Sequence, residues 1–239
     1  MNIIEAPSPN FDGRTAPPSM LVLHYTGMKT GLEALDRLRD PEAKVSSHYL
    51  VEEDGRVLRL VAEARRAWHA GVSFWRGRRN VNGDSIGIEI VNPGHEFGYR
   101  AFPEPQVESV IALVADIRTR WDIEDRDVVG HSDIAPDRKD DPGELFPWKR
   151  LAEAGHGIWA EADPAPGDPL SEGAEGVGVF ALQAGLTRLG YDCPPSGKFD
   201  QATRETVTAF QRHWVQSRFD GVADGLTRAR LMAVLRASA

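Results

Sequence analysis

Two histidines, His24 and His131, and an aspartate, Asp141, offer two imidazole nitrogens and a carboxylate oxygen, a donor set able to hold a divalent cation. His24 lies near the end of the apolar run MLVLHYT (20–26). His131 follows Val128, Val129 and Gly130, and Asp141 precedes Pro142-Gly143 in the loop GHSDIAPDRKDDPG. A catalytic zinc site needs three protein ligands and one open position, and this trio supplies the three. Each residue alone has a plainer reading: a partly buried histidine at a strand end, or a turn aspartate before Pro-Gly.

Glu89 sits in SIGIEIVN (85–92), where Ile86, Ile88 and Ile90 share one strand face and Gly87, Glu89 and Val91 the other. An ionised carboxylate in that setting is costly without a partner. A water acidified by a nearby metal would be one, with Glu89 taking its proton and passing it to a leaving nitrogen; an arginine such as Arg78 or Arg138 would be another. Lys139, two residues before Asp141, could neutralise an oxyanion, or simply be a solvated surface lysine.

Positioning these groups requires strands that end together. Met20–Thr26 is apolar on both faces, as in a sheet covered on two sides. Ser47–Glu52 and Arg56–Val61 flank Asp54-Gly55 and predict a hairpin. Ser85–Asn92 and Val128–Gly130 are further strands. Helices are expected at Gly31–Arg39, with Leu32, Leu35 and Leu38 on one side, at Pro105–Trp121, where Val107, Val110, Ile111, Val114 and Ile117 recur at helical spacing, and at Pro147–Ala154. The proline-rich Met1–Ser19 reads as an extended surface arm. Ala67–Asn82 reads as a long surface loop of the kind that lines a binding groove, where Trp68, Phe74 and Trp75 could form an aromatic wall.

A chain of 239 residues with 41% hydrophobic and 27% charged residues is an ordinary globular composition, long enough for a main domain and a smaller companion. The net charge of −8, without a basic block, argues against nucleic acid as a partner. No run approaches the length of a transmembrane segment. Cys193 is the single cysteine, so an internal disulfide or a Cys-cluster zinc site is excluded, and any metal must be held by nitrogen and oxygen. Between Glu161 and Gly178 the composition turns to Ala, Pro, Gly, Asp and Glu, the signature of a linker, and helices at Val179–Leu189, Gln201–Trp214 and Leu226–Leu235 follow it. The expected fold class is therefore α/β, a mixed central sheet flanked by helices plus a small all-α C-terminal domain. The bounds are 1–160 for the catalytic domain, 161–177 for the linker and 178–239 for the helical domain.

The motifs LVLHYT, VSSHYLVEEDG, AWHAG, SIGIEIVN and VGHSDIAPDRKDDPG, in that order over Met20–Ala154, resemble the zinc-dependent N-acetylmuramoyl-L-alanine amidases of the type 2 group, to which peptidoglycan recognition proteins are related. The resemblance implies a hydrolase that cuts the amide between N-acetylmuramic (or anhydro-N-acetylmuramic) acid and L-alanine in peptidoglycan or muropeptides. It implies Zn2+ on His24, His131 and Asp141, Glu89 as general base and then acid, Lys139 on the oxyanion, and substrate contacts from Tyr25, Thr26 and His69. His48 reads as structural or as supporting the site, and His95, His156 and His213 receive no role. The competing reading is a non-catalytic muropeptide-binding protein; a zinc peptidase would use the same kind of metal site. The C-terminal segments FALQAGLTRLGY, GKFDQATRETVTAFQ and DGVADGLTRARL are similar to three-helix peptidoglycan-binding modules, whose expected work is tethering, as against a helical appendage that only packs on the first domain. The start MNIIEAPSPNFDGR lacks a signal-like pattern and suggests a cytoplasmic enzyme, the alternative being the periplasm or cell envelope after removal of a signal.

Overall fold

The computed structural model describes residues 2–238; Met1 and Ala239, the outer bounds of the two expected domains, lie outside the described residues. In chain order the elements are β1 (Ile3–Glu5), β2 (Phe11–Gly13), β3 (Met20–Tyr25), α1 (Gly31–Arg39), β4 (Tyr49–Val51), β5 (Val57–Arg59), β6 (Arg65–Ala67), α2 (Val81–Asp84), β7 (Ser85–Ile90), α3 (Gly94–Phe97), α4 (Glu104–Arg118), β8 (Val128–Gly130), α5 (His131–Ile134), α6 (Trp148–Glu153), α7 (Val177–Leu189), α8 (Gln201–Trp214) and α9 (Gly225–Ala237). Six strands form one mixed sheet in the order β1-β5-β4-β7-β3-β8, and β2 pairs with β6 in a separate ribbon. β3 runs parallel to both β7 and β8, and β4 parallel to β7, so their carboxyl ends open on one edge, where α/β sheets characteristically bind ligands.

Strict alternation on β3 and β7 decides what faces what. Leu21, Leu23, Ile86, Ile88 and Ile90 pack under α4 with Val107, Val110, Val114 and Ile117, whose helical spacing gives that helix one apolar stripe. Met20 and Val22 point to the opposite face, into a core continued by Val179, Leu186 and Phe210 of the C-terminal helices. The sheet is thus covered on both sides, as its doubly apolar strands require.

Several expectations are corrected. The N-terminal arm is partly built into the fold: β1 extends the main sheet beside β5, and β2 pairs with β6. Helix α1 buries Ala34 and Leu38 and leaves Leu32 exposed, so its inner face is rotated from the Leu32-Leu35-Leu38 stripe. In 67–82, Ala70, Trp75 and Val81 are fully buried. Trp75 meets Tyr191 edge to face and donates Nε1–H to the carbonyl of Arg126, which removes it from any such aromatic wall. Gly190 permits this close approach, since a Cβ there would lie 2.7 Å from the Trp75 ring. Backbone hydrogen bonds tie the linker-like stretch to the start of α9 and to the loops before α8 and α9, at Ala165–Gly225, Gly176–Gly197 and Leu170–Ala223. No helix among the described residues is long and apolar enough to cross a membrane.

Candidate active site and metal centre

Three elements deliver the ligand trio. His24 is the fifth residue of β3, His131 opens α5 directly after β8, and Asp141 lies in the loop that follows α5. Their side chains converge: Nδ1 of His24 and Nδ1 of His131 are 2.9 Å apart, and Oδ2 of Asp141 is 3.0 Å from each. All three are buried, with relative exposures of 1%, 4% and 6%.

Hydrogen bonding behind the triangle fixes which nitrogens face it. Nε2 of His131 lies 3.1 Å from the carbonyl of Ala70, which can only accept, so Nε2 carries the proton and Nδ1 turns a lone pair inward. For His24 the argument runs through two further residues. The Ser85 hydroxyl donates to the carbonyl of Val81 at 2.5 Å, so its oxygen accepts from Nε2–H of His69 at 3.2 Å. His69 Nδ1 is then an acceptor for Nε2–H of His24 at 3.0 Å, which leaves Nδ1 of His24 bare. Burial, with His131 adding, lowers the His24 pKa to about 4, so the ring is neutral at physiological pH. Burial by itself would raise the Asp141 carboxyl; positive charge placed on the side where the two imidazoles face it brings it well below the ordinary range.

Two lone pairs and a carboxylate oxygen within 3.0 Å of one another repel unless a cation lies among them; no placement of protons turns all three contacts into hydrogen bonds. A tetrahedral zinc with bonds of about 2.0–2.2 Å spaces its ligand atoms about 3.3 Å apart, so a few tenths of an ångström of expansion suffices. The donor set therefore fits a divalent metal, and among the described residues this is the group able to hold one.

Glu89 stands opposite His24 in the β3–β7 register, on the same face of the sheet. Neither arginine considered for it is its partner: Arg78 binds Asp127, and Arg138 binds the carbonyls of Ala70 and Val72. Its Oε2 is buried with no hydrogen-bond partner. Burial raises the carboxyl well above its ordinary value, with Asp141 adding and Lys139 opposing. Gly87, two residues earlier on that face, lets the His69 ring lie against the strand; a Cβ there would come within 2.5 Å of it.

His24, Glu89, His131, Lys139 and Asp141 all line one pocket of about 380 Å3, with Tyr25, Thr26 and Trp68 on its wall and Arg37 and Arg138 among its cations. Tyr25 hydrogen-bonds His95 through its hydroxyl, and the Thr26 hydroxyl donates to the carbonyl of Asn92. His69 borders the pocket, but its ring is spent on His24 and Ser85. His48 accepts the amide of Gly87 and contacts the carbonyl of Arg65, a structural post one strand away. Sequence reasoning missed Ser85 and the carbonyl of Ala70; a hydroxyl at the mouth of a strand and a backbone oxygen carry no pattern of their own.

The N-acetylmuramoyl-L-alanine amidase profile matches residues 14–144, and a peptidoglycan binding domain profile matches residues 175–231. N-acetylmuramoyl-L-alanine amidase AmiD of Escherichia coli is 38% identical over 236 residues, spanning 90% of this chain and 82% of AmiD. Its structure in complex with the substrate anhydro-N-acetylmuramic acid-L-Ala-D-γ-Glu-L-Lys superposes with a TM-score of 0.80, covering 93% of this chain and 90% of that one. AmpDh3 of Pseudomonas aeruginosa, solved with an anhydromuramic pentapeptide, gives a TM-score of 0.78 at 31% identity, covering 93% and 92%. The 1,6-anhydro-N-acetylmuramyl-L-alanine amidase AmpD of Citrobacter freundii is 35% identical over 164 residues, 61% of this chain and 86% of AmpD. With its catalytic region matched and a relative aligned almost end to end, the chain belongs to the N-acetylmuramoyl-L-alanine amidase family.

Proposed function

We propose that the protein is a zinc amidase that hydrolyses the bond between the lactyl carbonyl of N-acetylmuramic or 1,6-anhydro-N-acetylmuramic acid and the nitrogen of L-alanine. The observation that carries this reading is the meeting, in one pocket, of a metal-ready triad with a buried carboxylate whose Oε2 has no protein partner. His24, His131 and Asp141 would hold the zinc, which when bound supplies a Lewis acid and acidifies water.

Glu89 takes a proton from the attacking water on its carboxylate as the water oxygen bonds to the lactyl carbon. It then delivers that proton to the alanine nitrogen as the C–N bond breaks, leaving a carboxylic acid and an amine, which at neutral pH become carboxylate and ammonium. Its raised affinity for protons suits both halves of this exchange. Lys139, on the same pocket wall, supplies positive charge to the carbonyl oxygen as the tetrahedral carbon forms. Tyr25 and Thr26 border the space where the muramyl and alanyl groups would lie, and Arg37 and Arg138 give the rim a charge that complements the carboxylates of a stem peptide. His69 serves by holding His24 in the ligating tautomer.

The test is release of the stem peptide from a purified anhydromuramyl tripeptide, with metal content measured on the same sample. One zinc per chain, cleavage at the lactyl–alanine amide and loss of both on chelation are expected. Binding without release would favour a recognition protein, and cleavage within the peptide would make the enzyme a zinc peptidase.

A further inference from the structure

Helix α8 of the C-terminal module reaches the segment that carries two of the three ligands. Asp133, two residues after His131, has its carboxylate fully buried and accepts from three donors. These are the amide of Gly130 at 2.8 Å, the hydroxyl of Tyr191 at 2.5 Å and Nδ1–H of His213 at 2.7 Å. Two of the three belong to the C-terminal module, and the His213 ring is clamped between Trp148 and Trp214 at centroid distances of 3.7 and 3.6 Å. Next to His213 on α8, Arg212 binds Asp140, the neighbour of Asp141, at 2.8 Å. Past the end of α8, the Gln216 amide donates to the carbonyls of Glu144 and Phe146, both at 2.7 Å. The polypeptide from 130 to 146, with His131, Lys139 and Asp141, is therefore gripped from behind at both ends by one helix and the residues beside it.

A tether held only by a linker would show none of this. We propose that the C-terminal module is a structural part of the metal site: Tyr191, Arg212 and His213 are positioning residues that hold His131 and Asp141 at ligating distance, so the module is needed for metal retention and turnover even with a small soluble substrate. The inference rests on the amidase reading above. Its physical basis is that a ligand's affinity depends on how firmly its own supports orient it, and removing such a support typically costs 10- to 100-fold in metal affinity or activity. Buried carboxylates with several satisfied donors are rigid anchors, and the Asp133 cluster bonds both sides of the junction into one unit.

Full-length Tyr191→Phe and Arg212→Gln, singly and together, test it; each removes a donor without opening a large cavity. Thermal unfolding is recorded on the metal-free chain, and zinc affinity, by competition with a chelator, and kcat and KM on a soluble anhydromuramyl tripeptide are measured well below that midpoint. The expected result for the double variant is zinc affinity lower by at least 10-fold and a reduced kcat with KM little changed, partly restored when Arg212→Lys replaces Arg212→Gln. Wild-type zinc affinity and kcat, with loss confined to thermal midpoint or to binding of insoluble wall, would overturn the proposal and return the module to a tether. A wild-type protein that neither holds zinc nor releases peptide would instead sink the functional reading beneath it.

Discussion

Two carboxylates beside the ligand trio, Asp133 behind it and Glu89 in the pocket in front, are treated in opposite ways. Asp133 has both oxygens occupied, by Gly130, Tyr191 and His213. Glu89 keeps an oxygen that touches no donor at all. A buried polar group left unsatisfied costs about 1–3 kcal/mol, so folding alone gives no reason to keep Glu89 as it is. On the proposed function, the contrast separates groups that would hold the site from a group that would act in it. Behind the triad, from Ser85 through His69 to His24 and from Ala70 to His131, every proton has a place; in front of it, the pocket keeps Glu89 and Lys139 open to a ligand.

The strongest way to break this division is to remove a ligand. Asp141→Ala leaves two imidazoles, and the protein is expected to lose zinc during dialysis and to fall to background hydrolysis, as read by metal analysis and peptide release. Glu89→Gln should give the opposite pairing: zinc retained at the wild-type level, but kcat reduced about 10²- to 10⁴-fold, the usual worth of a proton-transfer group. Should zinc be lost along with activity, Glu89 would belong with the holding groups and the division would fail. Lys139→Ala is expected to lower kcat with KM nearly unchanged, by about 10²-fold if it supports the oxyanion; a rise in KM alone would reassign Lys139 to substrate binding.

The placement of the pocket-facing residues was legible in the sequence and the supports behind them largely were not. Period-2 alternation on MLVLHYT and SIGIEIVN puts His24 and Glu89 on the face opposite the isoleucines, and β3 and β7 pair with those two residues in register. That pattern is local, so sequence alone exposes it. Asp133 and His213 are 80 residues apart, and the burial of Trp75 depends on Gly190 and Tyr191 in the other module. No window of the sequence contains both partners, which is why Trp75 read as a loop aromatic and His213 as a residue without a role. The arm before β3 was misread for another reason. Its strands are three residues long and separated by prolines, too short to show any period, and β5 at the sheet edge recruits β1 while β6 recruits β2 through backbone bonds.

The subtlest difference between the two carboxylates should appear in stability rather than in turnover. Burial raises the Glu89 carboxyl well above its ordinary value of 4.5, Asp141 adding to the effect and Lys139 opposing it. The metal-free folded chain therefore binds this proton more tightly than the unfolded chain does. The resulting stability is complete below the unfolded value and is lost as pH rises through the folded one. Glu89→Gln keeps the shape and cannot ionise. At pH 4, metal-free wild type and variant should unfold at nearly the same temperature; at pH 8 the variant should be the more stable and unfold at the higher temperature, because only the wild type must ionise a buried group. A gap that stays constant from pH 4 to pH 8 would mean that water reaches Glu89 freely in the folded state, and its unpartnered oxygen would then no longer distinguish it from a surface acid.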